Sequence, residues 1–249
     1  MWDAIEKIGA MRGELAYDID GAVVKLNDLE DRKKCPDTAK NGGWLVAYKY
    51  PPEEKETVVR DIELSVGRTG RVTPTAVFEP VLLAGTTVSR AILHNEDFIR
   101  QLGVGIGDVI RVRKAGDIIP EVVAVVQHAP DAQMFEMPQA CPSCGAPVSH
   151  MEDEAALRCT NPECPAQTLR NIIHFASRAA MDIDGFGPAV AKQLVERGLV
   201  HTAADIYDLT AEQLITLDKF KEKSVSNLLA AIAASRRNGL DKLLFALGI

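Results

Sequence analysis

The chain has 249 residues, 47% of them hydrophobic and 25% charged, with a formal net charge of −7. That length suits one large domain or two to four small ones, and the composition is ordinary for soluble globular protein. The acidic balance excludes a uniformly basic nucleic-acid binder but allows a basic patch assembled by folding. No run approaches the roughly 20 apolar residues that cross a bilayer. The opening MWDAIEKIGAMRGE is acidic where a secretion signal is basic and then apolar. The expected setting is cytoplasmic, without membrane contact.

Residues 1–13 read as helical, because Ile5, Ile8 and Met11 recur about one turn apart. Residues 15–26 and 44–50 read as strands joined by a charged loop, Asp28-Leu29-Glu30-Asp31-Arg32-Lys33-Lys34. The first strand carries Asp20-Gly21-Ala22-Val23-Val24-Lys25, and the second carries Lys49 in AYKYP. Val23 and Val24 favour an extended strand, and Gly21 admits close backbone approach to a ligand. A lysine ending such a run can sit on a phosphate as a point charge. Two of them suggest a single dry anion cavity, since burying an ammonium is costly without a compensating anion. The plain alternative is two strand-end lysines reaching solvent. Two such strands form no stable sheet unaided, so this piece reads as the end of a larger domain.

From about Thr57 to Gln127 the pattern becomes all-β. The runs TVVRDIEL, VTPTAVFEPVLL, TTVSRAIL, DVIRVRKA and DIIPEVVAVV alternate with glycine-rich turns. Five short strands suit a small closed barrel, of OB type or SH3-like. Arg68 and Arg71 flank Gly70 in VGRTGRV, while Arg90, Arg113 and Lys114 stand at strand ends. These five are candidate phosphate and minor-groove contacts; the bland reading is solvated turn charge. His94 reads as a structural hydrogen-bonding residue.

A polar stretch around residues 127–138 leads to Cys141-Pro-Ser-Cys144-Gly and Cys159-Thr-Asn-Pro-Glu-Cys164-Pro. Each pair forms a tight knuckle that can turn two sulfurs toward one ion. Four thiolates satisfy tetrahedral Zn²⁺ and leave no position for water, so the site is structural. About 30 residues also hold too little core to fold without such a staple. Disulfides or free thiols are the alternative, and a cytosolic setting argues against disulfides. Cys35 stands apart in the charged loop.

After Gln167 the character is helical. Ile183-Asp184-Gly185-Phe186-Gly187-Pro188-Ala189 precedes the apolar helix VAKQLVERG and resembles a helix-hairpin-helix. Gly185 and Gly187 would expose backbone N–H groups at a helix N-terminus, ready for a phosphate without reading base identity. A second unit, LITLDKFKEKSVSNLLAAI, has Lys219-Phe220-Lys221 where the first has Gly-Phe-Gly. LDKLLFALGI looks like the start of a third. A plain helical packing domain is the competing reading.

These residues carry a family resemblance across essentially the whole chain. DIDGAVVK and AYKYPPEEKET resemble nucleotidyltransferase motifs IV and V of the NAD-dependent bacterial DNA ligases. The likeness continues through SVGRTGRVTPTAVFEPVLLAGTTVSRAILHN, the cysteine cluster and the helical tail. The resemblance implies a multidomain α+β chain. Its pieces are a truncated nucleotidyltransferase (adenylation) end over 1–56, an OB-fold over 57–135, a four-cysteine zinc finger over 136–168 and an incomplete helix-hairpin-helix region over 169–249.

It also implies chemistry. In such ligases a lysine attacks the adenylyl phosphorus of NAD, the AMP passes to the 5′-phosphate of a nick, and the 3′-hydroxyl then displaces it. Each step needs charge neutralisation by lysines, arginines and Mg²⁺ or Mn²⁺. The resemblance assigns Lys25, Lys49, Asp20 and, more weakly, Arg12 to the adenylate pocket. The expected partner is nicked double-stranded DNA and the expected state a monomer. The family's nucleophile sits in a K-x-D-G motif that this chain lacks, since Asp18-Ile19-Asp20-Gly21 has aspartate in the lysine position. The chain therefore reads as a fragment of a ligase, truncated at both ends and unable to self-adenylate. Two other readings compete. One is a nonenzymatic DNA-binding module of barrel, zinc knuckle and hairpins; the other is a zinc-ribbon protein of transcription or RNA processing. Neither needs DGAVVK and AYKYP.

Overall fold

The computed structural model describes residues 1–17, 19–37, 42–115, 118–130, 132–151 and 154–249. Asp18, Gly116 and Asp117, which belong to the DIDG and RKAGD motifs, lie outside the described residues. The chain forms two compact units. One contains Met1–Glu63, Thr75–Leu93 and Phe98–Phe135; the other contains Leu64–Pro74, His94–Asp97 and Glu136–Ile249.

The first unit opens with helix α1 (Trp2–Ala10) and the antiparallel strands β1 (Gly21–Lys25) and β2 (Leu45–Lys49), in register from Gly21 opposite Lys49 to Lys25 opposite Leu45. One face of this ribbon receives α1. The Trp2 ring meets Tyr48 edge-on at 5.0 Å, and the Tyr50 hydroxyl donates to the Ile5 carbonyl at 2.6 Å. Gly9 permits that approach, because a Cβ there would lie 2.6 Å from the Tyr50 ring. The charged run expected as loop is instead a short helix, α2 (Leu29–Lys34). Asp28 caps it by accepting the N–H groups of Glu30 and Asp31, and Glu30–Lys33 and Asp31–Lys34 pair along it.

The barrel is built from β3 (Glu54–Val66), β4 (Val72–Leu83), β5 (Thr86–Ile92), β6 (Val109–Ala115) and β7 (Ile119–Gln127). Their order is β5-β4-β3-β6-β7, and β5 also lies against β7. This closes the sheet in the manner of an OB barrel, as expected. Alternation explains it: along β4 from Val72 to Phe78, and along β6, every second residue is buried. Val59, Phe78, Leu83, Ile110 and Val112 fill the interior. Helix α3 (Glu96–Leu102) follows β5 and contributes Ile99 to the buried set.

The second unit holds the small hairpin β8 (Val148–His150) and β9 (Leu157–Cys159), then α4 (Pro165–Ala176), α5 (Pro188–Glu196), α6 (Ala211–Leu214), α7 (Glu222–Ser235) and α8 (Leu240–Leu247). One apolar core, including Ile172, Phe175, Leu194, Ile206, Leu214 and Leu228, ties the helices together. Burying each such side chain contributes about 1.5–3 kcal/mol. No described helix is long and apolar enough to cross a membrane.

Candidate functional site

The β1–β2 register places the motif lysines. Residues 21, 23 and 25 of β1 share a face with 45, 47 and 49 of β2, so Lys25 and Lys49 emerge on the same side. That face is opposite the one bearing Tyr48, against which α1 packs. The lysines stand at opposite ends of the ribbon, four residues or roughly 14 Å apart along the strands, with Val23 and Ala47 between them. Among the described residues no dry cavity encloses them: Lys25 is exposed, and the Lys49 side chain is 65% exposed. Lys49 pairs with Asp20 at 3.2 Å, and the Lys25 ammonium lies 6.0 Å from the centre of the Trp44 ring. Arg12 lies with α1: it donates to the Pro51 carbonyl at 3.1 Å and lines a hollow with Trp2, Tyr48 and Tyr50.

Glu53, in the link between β2 and the barrel, lies within AYKYPPEEKET but is not singled out there as a site residue. It accepts the Ala84 N–H at 2.9 Å, and that bond, helped by Lys55 and Arg12, holds its carboxyl below the usual glutamate range. Lys114, expected at a DNA-contact surface, is turned into the barrel. It is only 6% exposed, and it donates to the Ala84 carbonyl at 3.2 Å and to Thr86 Oγ1 at 2.6 Å. Glu53 and Lys114 thus secure Ala84 from both sides, a residue held at φ 42°.

The other barrel arginines are exposed or half-buried, and on the strands they are matched by carboxylates. Arg90 pairs with Glu63, Arg113 with Glu121 and Glu54, and Arg111 with Glu56. Glu54 faces Arg113, and Glu56 faces Arg111, in the β3–β6 register. Asp108 is fully buried. Its carboxylate accepts the N–H groups of Gly105 (2.8 Å) and Ala129 (2.9 Å) and meets His128 Nδ1 at 3.1 Å.

Arg68 and Arg71 belong to the turn between β3 and β4, which lies in the second unit with the cysteines. The Gly70 N–H closes the turn on the Gly67 carbonyl at 3.0 Å. Arg68 Nη1 reaches the backbone at Gly248, and Arg71 extends toward the His94 carbonyl at 3.5 Å.

The sulfurs of Cys141, Cys144, Cys159 and Cys164 all lie within 4.8 Å of one another. Cys141–Cys164 and Cys144–Cys159 are 3.8 and 3.5 Å apart. A disulfide would be about 2.05 Å, whereas a tetrahedron of Zn–S bonds near 2.3 Å has edges of ~3.8 Å. The donor set fits zinc. The Ala146 amide lowers the pKa of the Cys144 thiol, while burial raises that of Cys159. Such a cage carries four thiolates only around a cation that compensates their burial. Cys35 is not among the four clustered thiols; its Sγ is set against the Asp31 carbonyl.

The two helical hairpins share one backbone. Gly185 has φ +80° and Lys219 has φ +67°. The Phe186 N–H bonds to the Ile183 carbonyl, and the Phe220 N–H bonds to the Leu217 carbonyl. Gly187 and Lys221 then occupy the N-caps of α5 and α7, in neither case with a side-chain capping bond. The loss of both glycines therefore leaves the second hairpin's geometry intact, because Leu217 and Phe220 anchor it as Ile183 and Phe186 anchor the first. Gly185, Gly187, Lys219 and Lys221 are all exposed.

Comparison with known proteins adds family information. A family model for the NAD-dependent DNA ligase adenylation domain matches residues 1–53, one for the NAD-dependent DNA ligase OB-fold domain matches 56–134, and one for the NAD-dependent DNA ligase C4 zinc finger domain matches 140–166. The chain is similar to a DNA ligase of Caldicellulosiruptor saccharolyticus, 56% identical over 250 residues, covering 100% of this chain and 37% of that protein. It is 54% identical over 247 residues to a DNA ligase of Lactobacillus johnsonii, covering 98% of this chain and 37% of the relative. A DNA ligase of Latilactobacillus sakei subsp. sakei is 55% identical over 247 residues, covering 98% and 36% respectively. The chain thus spans a little over a third of the length of these relatives.

Proposed function

The chain belongs to the NAD-dependent DNA ligase family, and we propose that its 249 residues supply the phosphate-neutralising face and the DNA-gripping parts of a nick-sealing enzyme. The observation that carries this reading is the shared face of Lys25 and Lys49. A nucleotide lying along the ribbon would rest its flat part over Val23 and Ala47 and its phosphate at a lysine. Lys49 is the better phosphate contact, because Asp20 orients its ammonium at that end. NAD supplies the adenylyl group in this family; these residues would bind it and neutralise charge as the phosphorus reacts. Asp20 is an acidic group at this end, and among the described residues the only cluster with metal-ligand spacing is the four cysteines. No step is therefore assigned to a catalytic Mg²⁺ or Mn²⁺ here. The K-x-D-G nucleophile is not among these residues, so the chain's part begins from an adenylated nick.

For DNA, the reading rests on groups at turns: half-buried Arg68 and exposed Arg71 on the β3–β4 turn, and the exposed hairpin residues Gly185, Gly187, Lys219 and Lys221. Arg90 and Arg113 are second candidates, since a phosphate must first compete with their carboxylates. The zinc ion, held by Cys141, Cys144, Cys159 and Cys164, keeps this region folded. The chain would act as a monomer in the cytoplasm.

The test is sealing of a pre-adenylated nicked duplex by the 249-residue chain. Lys49→Ala should slow sealing by about 10²–10³-fold, the scale of losing one preorganised charge contact, with nick binding nearly unchanged. Equal, weak binding to nicked and intact duplex would defeat the reading.

A further inference from the structure

The zinc cage and the arginine turn are covalently distant but built as one piece. In the second unit, β9 carries Cys159 and lies beside the β3–β4 turn: the Cys159 N–H donates to the Gly70 carbonyl at 2.9 Å, and Arg71 bridges antiparallel to Arg158. Val66 and Val72, on either side of the turn, share a buried cluster with Cys141, Leu157, Cys159 and Cys164. Gly70 makes this fit possible, since a Cβ there would lie 2.9 Å from the Cys159 carbonyl at a φ of +81°.

One side chain locks the arrangement. Arg158, next to Cys159, spends two donors on Glu154, through Nε at 2.6 Å and Nη2 at 2.7 Å. Its remaining arm, Nη1, donates to the Thr69 carbonyl at 2.7 Å, between Arg68 and Gly70. A planar guanidinium makes all three bonds at once, where an ammonium would not hold that fork. Glu154 fixes the plane, and the fixed plane holds the turn's central carbonyl.

We propose that the zinc knuckle is the mount of the Gly67–Arg71 turn, and that Arg158 is the positioning residue through which metal binding sets where Arg68 and Arg71 point. Zinc orders β9, β9 and Arg158 hold the carbonyls of Thr69 and Gly70, and those carbonyls fix the two arginines between them. The part concerning DNA rests on the nick-binding reading above; the part concerning the turn does not.

The experiment uses the full chain loaded with zinc, or with cobalt as a spectroscopic reporter of the four-sulfur site. In Arg158→Ala, metal should stay at one equivalent with the cobalt spectrum unchanged. The Gly67 and Gly70 amides should exchange at least tenfold faster, and the salt slope of nicked-duplex binding should fall by about 0.9 for each phosphate the turn no longer reaches. Gly70→Ala reaches the same state by another route, pushing the turn off Cys159 while leaving Arg158 on Glu154. Unchanged turn protection in both variants would overturn the proposal, as would loss of metal in Arg158→Ala, which would make Arg158 part of the cage's folding instead. A wild-type chain that fails to prefer nicked duplex would sink the DNA reading yet leave the exchange result to decide the mount.

Discussion

Replacing Lys219 by glycine should make the chain more stable and a weaker DNA binder. Lys219 sits at φ +67°, in the left-handed region, where a side chain costs roughly 1–2 kcal/mol. Glycine removes that strain but adds freedom to the unfolded chain, costing about 0.5–1 kcal/mol. The difference leaves a gain of about 0.5–1 kcal/mol, or roughly 1–4 °C in Tm for a chain of this size. The lysine is exposed, and among the described residues it bears no ion pair that its loss would break. If it contacts one phosphate, its removal lowers the slope of log K against log salt by about 0.9.

The reciprocal change is Gly185→Lys in the first hairpin. A Cβ there meets nothing nearer than Leu228 Cδ1 at 3.8 Å, so it should cost only the backbone strain, about 0.5–1 kcal/mol, and raise the slope. Thermal melts and fluorescence anisotropy of a labelled nicked duplex, titrated between about 50 and 200 mM salt, measure both. A Lys219→Gly variant that melts lower, or keeps the wild-type slope, would refute the reasoning.

Other expectations concern the rest of the chain. Cys164→Ser should drop zinc well below one equivalent and expose the 140–166 segment to protease, because Cys164 is both a buried ligand and the N-cap of α4; metal analysis with limited proteolysis checks it. Glu53→Gln should cost about 1 kcal/mol at neutral pH. Its folded carboxyl is held below the ordinary 4.5, so its contribution is full above that value and fades as pH falls through the lowered folded value; urea melts of both proteins across acidic pH should converge. Asp108→Ala leaves the buried N–H group of Gly105 and the half-buried one of Ala129 without their acceptor and should destabilise the barrel by about 1–3 kcal/mol in denaturant titration.

The parts of this fold that could be read from sequence are those whose signal is local. β4 runs from Val72 to Leu83, the bounds of the run VTPTAVFEPVLL, and the cysteine pairs meet as their spacing implies. Helix α2 was hidden because it has no buried residue; its signal was electrostatic, an Asp cap, acids in the first turn and bases in the last. The lysine geometry was hidden for another reason. Which face a strand residue takes depends on pairing register, and nothing in the segment between β1 and β2 specifies that register in advance. Lys114 illustrates a third case. Its neighbours Arg111 and Arg113 point outward by alternation, and parity with buried Val112 and Ile110 placed it inside; strand-end position concealed what strict period-two counting reveals.

That same counting bears on how a chain of net charge −7 would meet a polyanion, under the function proposed above. The barrel's strand arginines alternate along one strand opposite glutamates that alternate along the next, as Glu54 and Glu56 face Arg113 and Arg111. Such cross-strand pairs each contribute roughly 0.2–1 kcal/mol to the sheet and cancel one another's field. A phosphate would gain little there, because binding one arginine strands a carboxylate beside it. On the proposed reading, the cations left for DNA would be those where the backbone turns: Arg68 and Arg71 between β3 and β4, and Lys219 and Lys221 at a hairpin whose lysine adopts φ +67°. Turn geometry, not bulk charge, would then decide which phosphates are met. Such a binding surface would be most vulnerable at its supports, Gly70, Arg158 and the four cysteines, rather than at the barrel arginines that composition alone would single out.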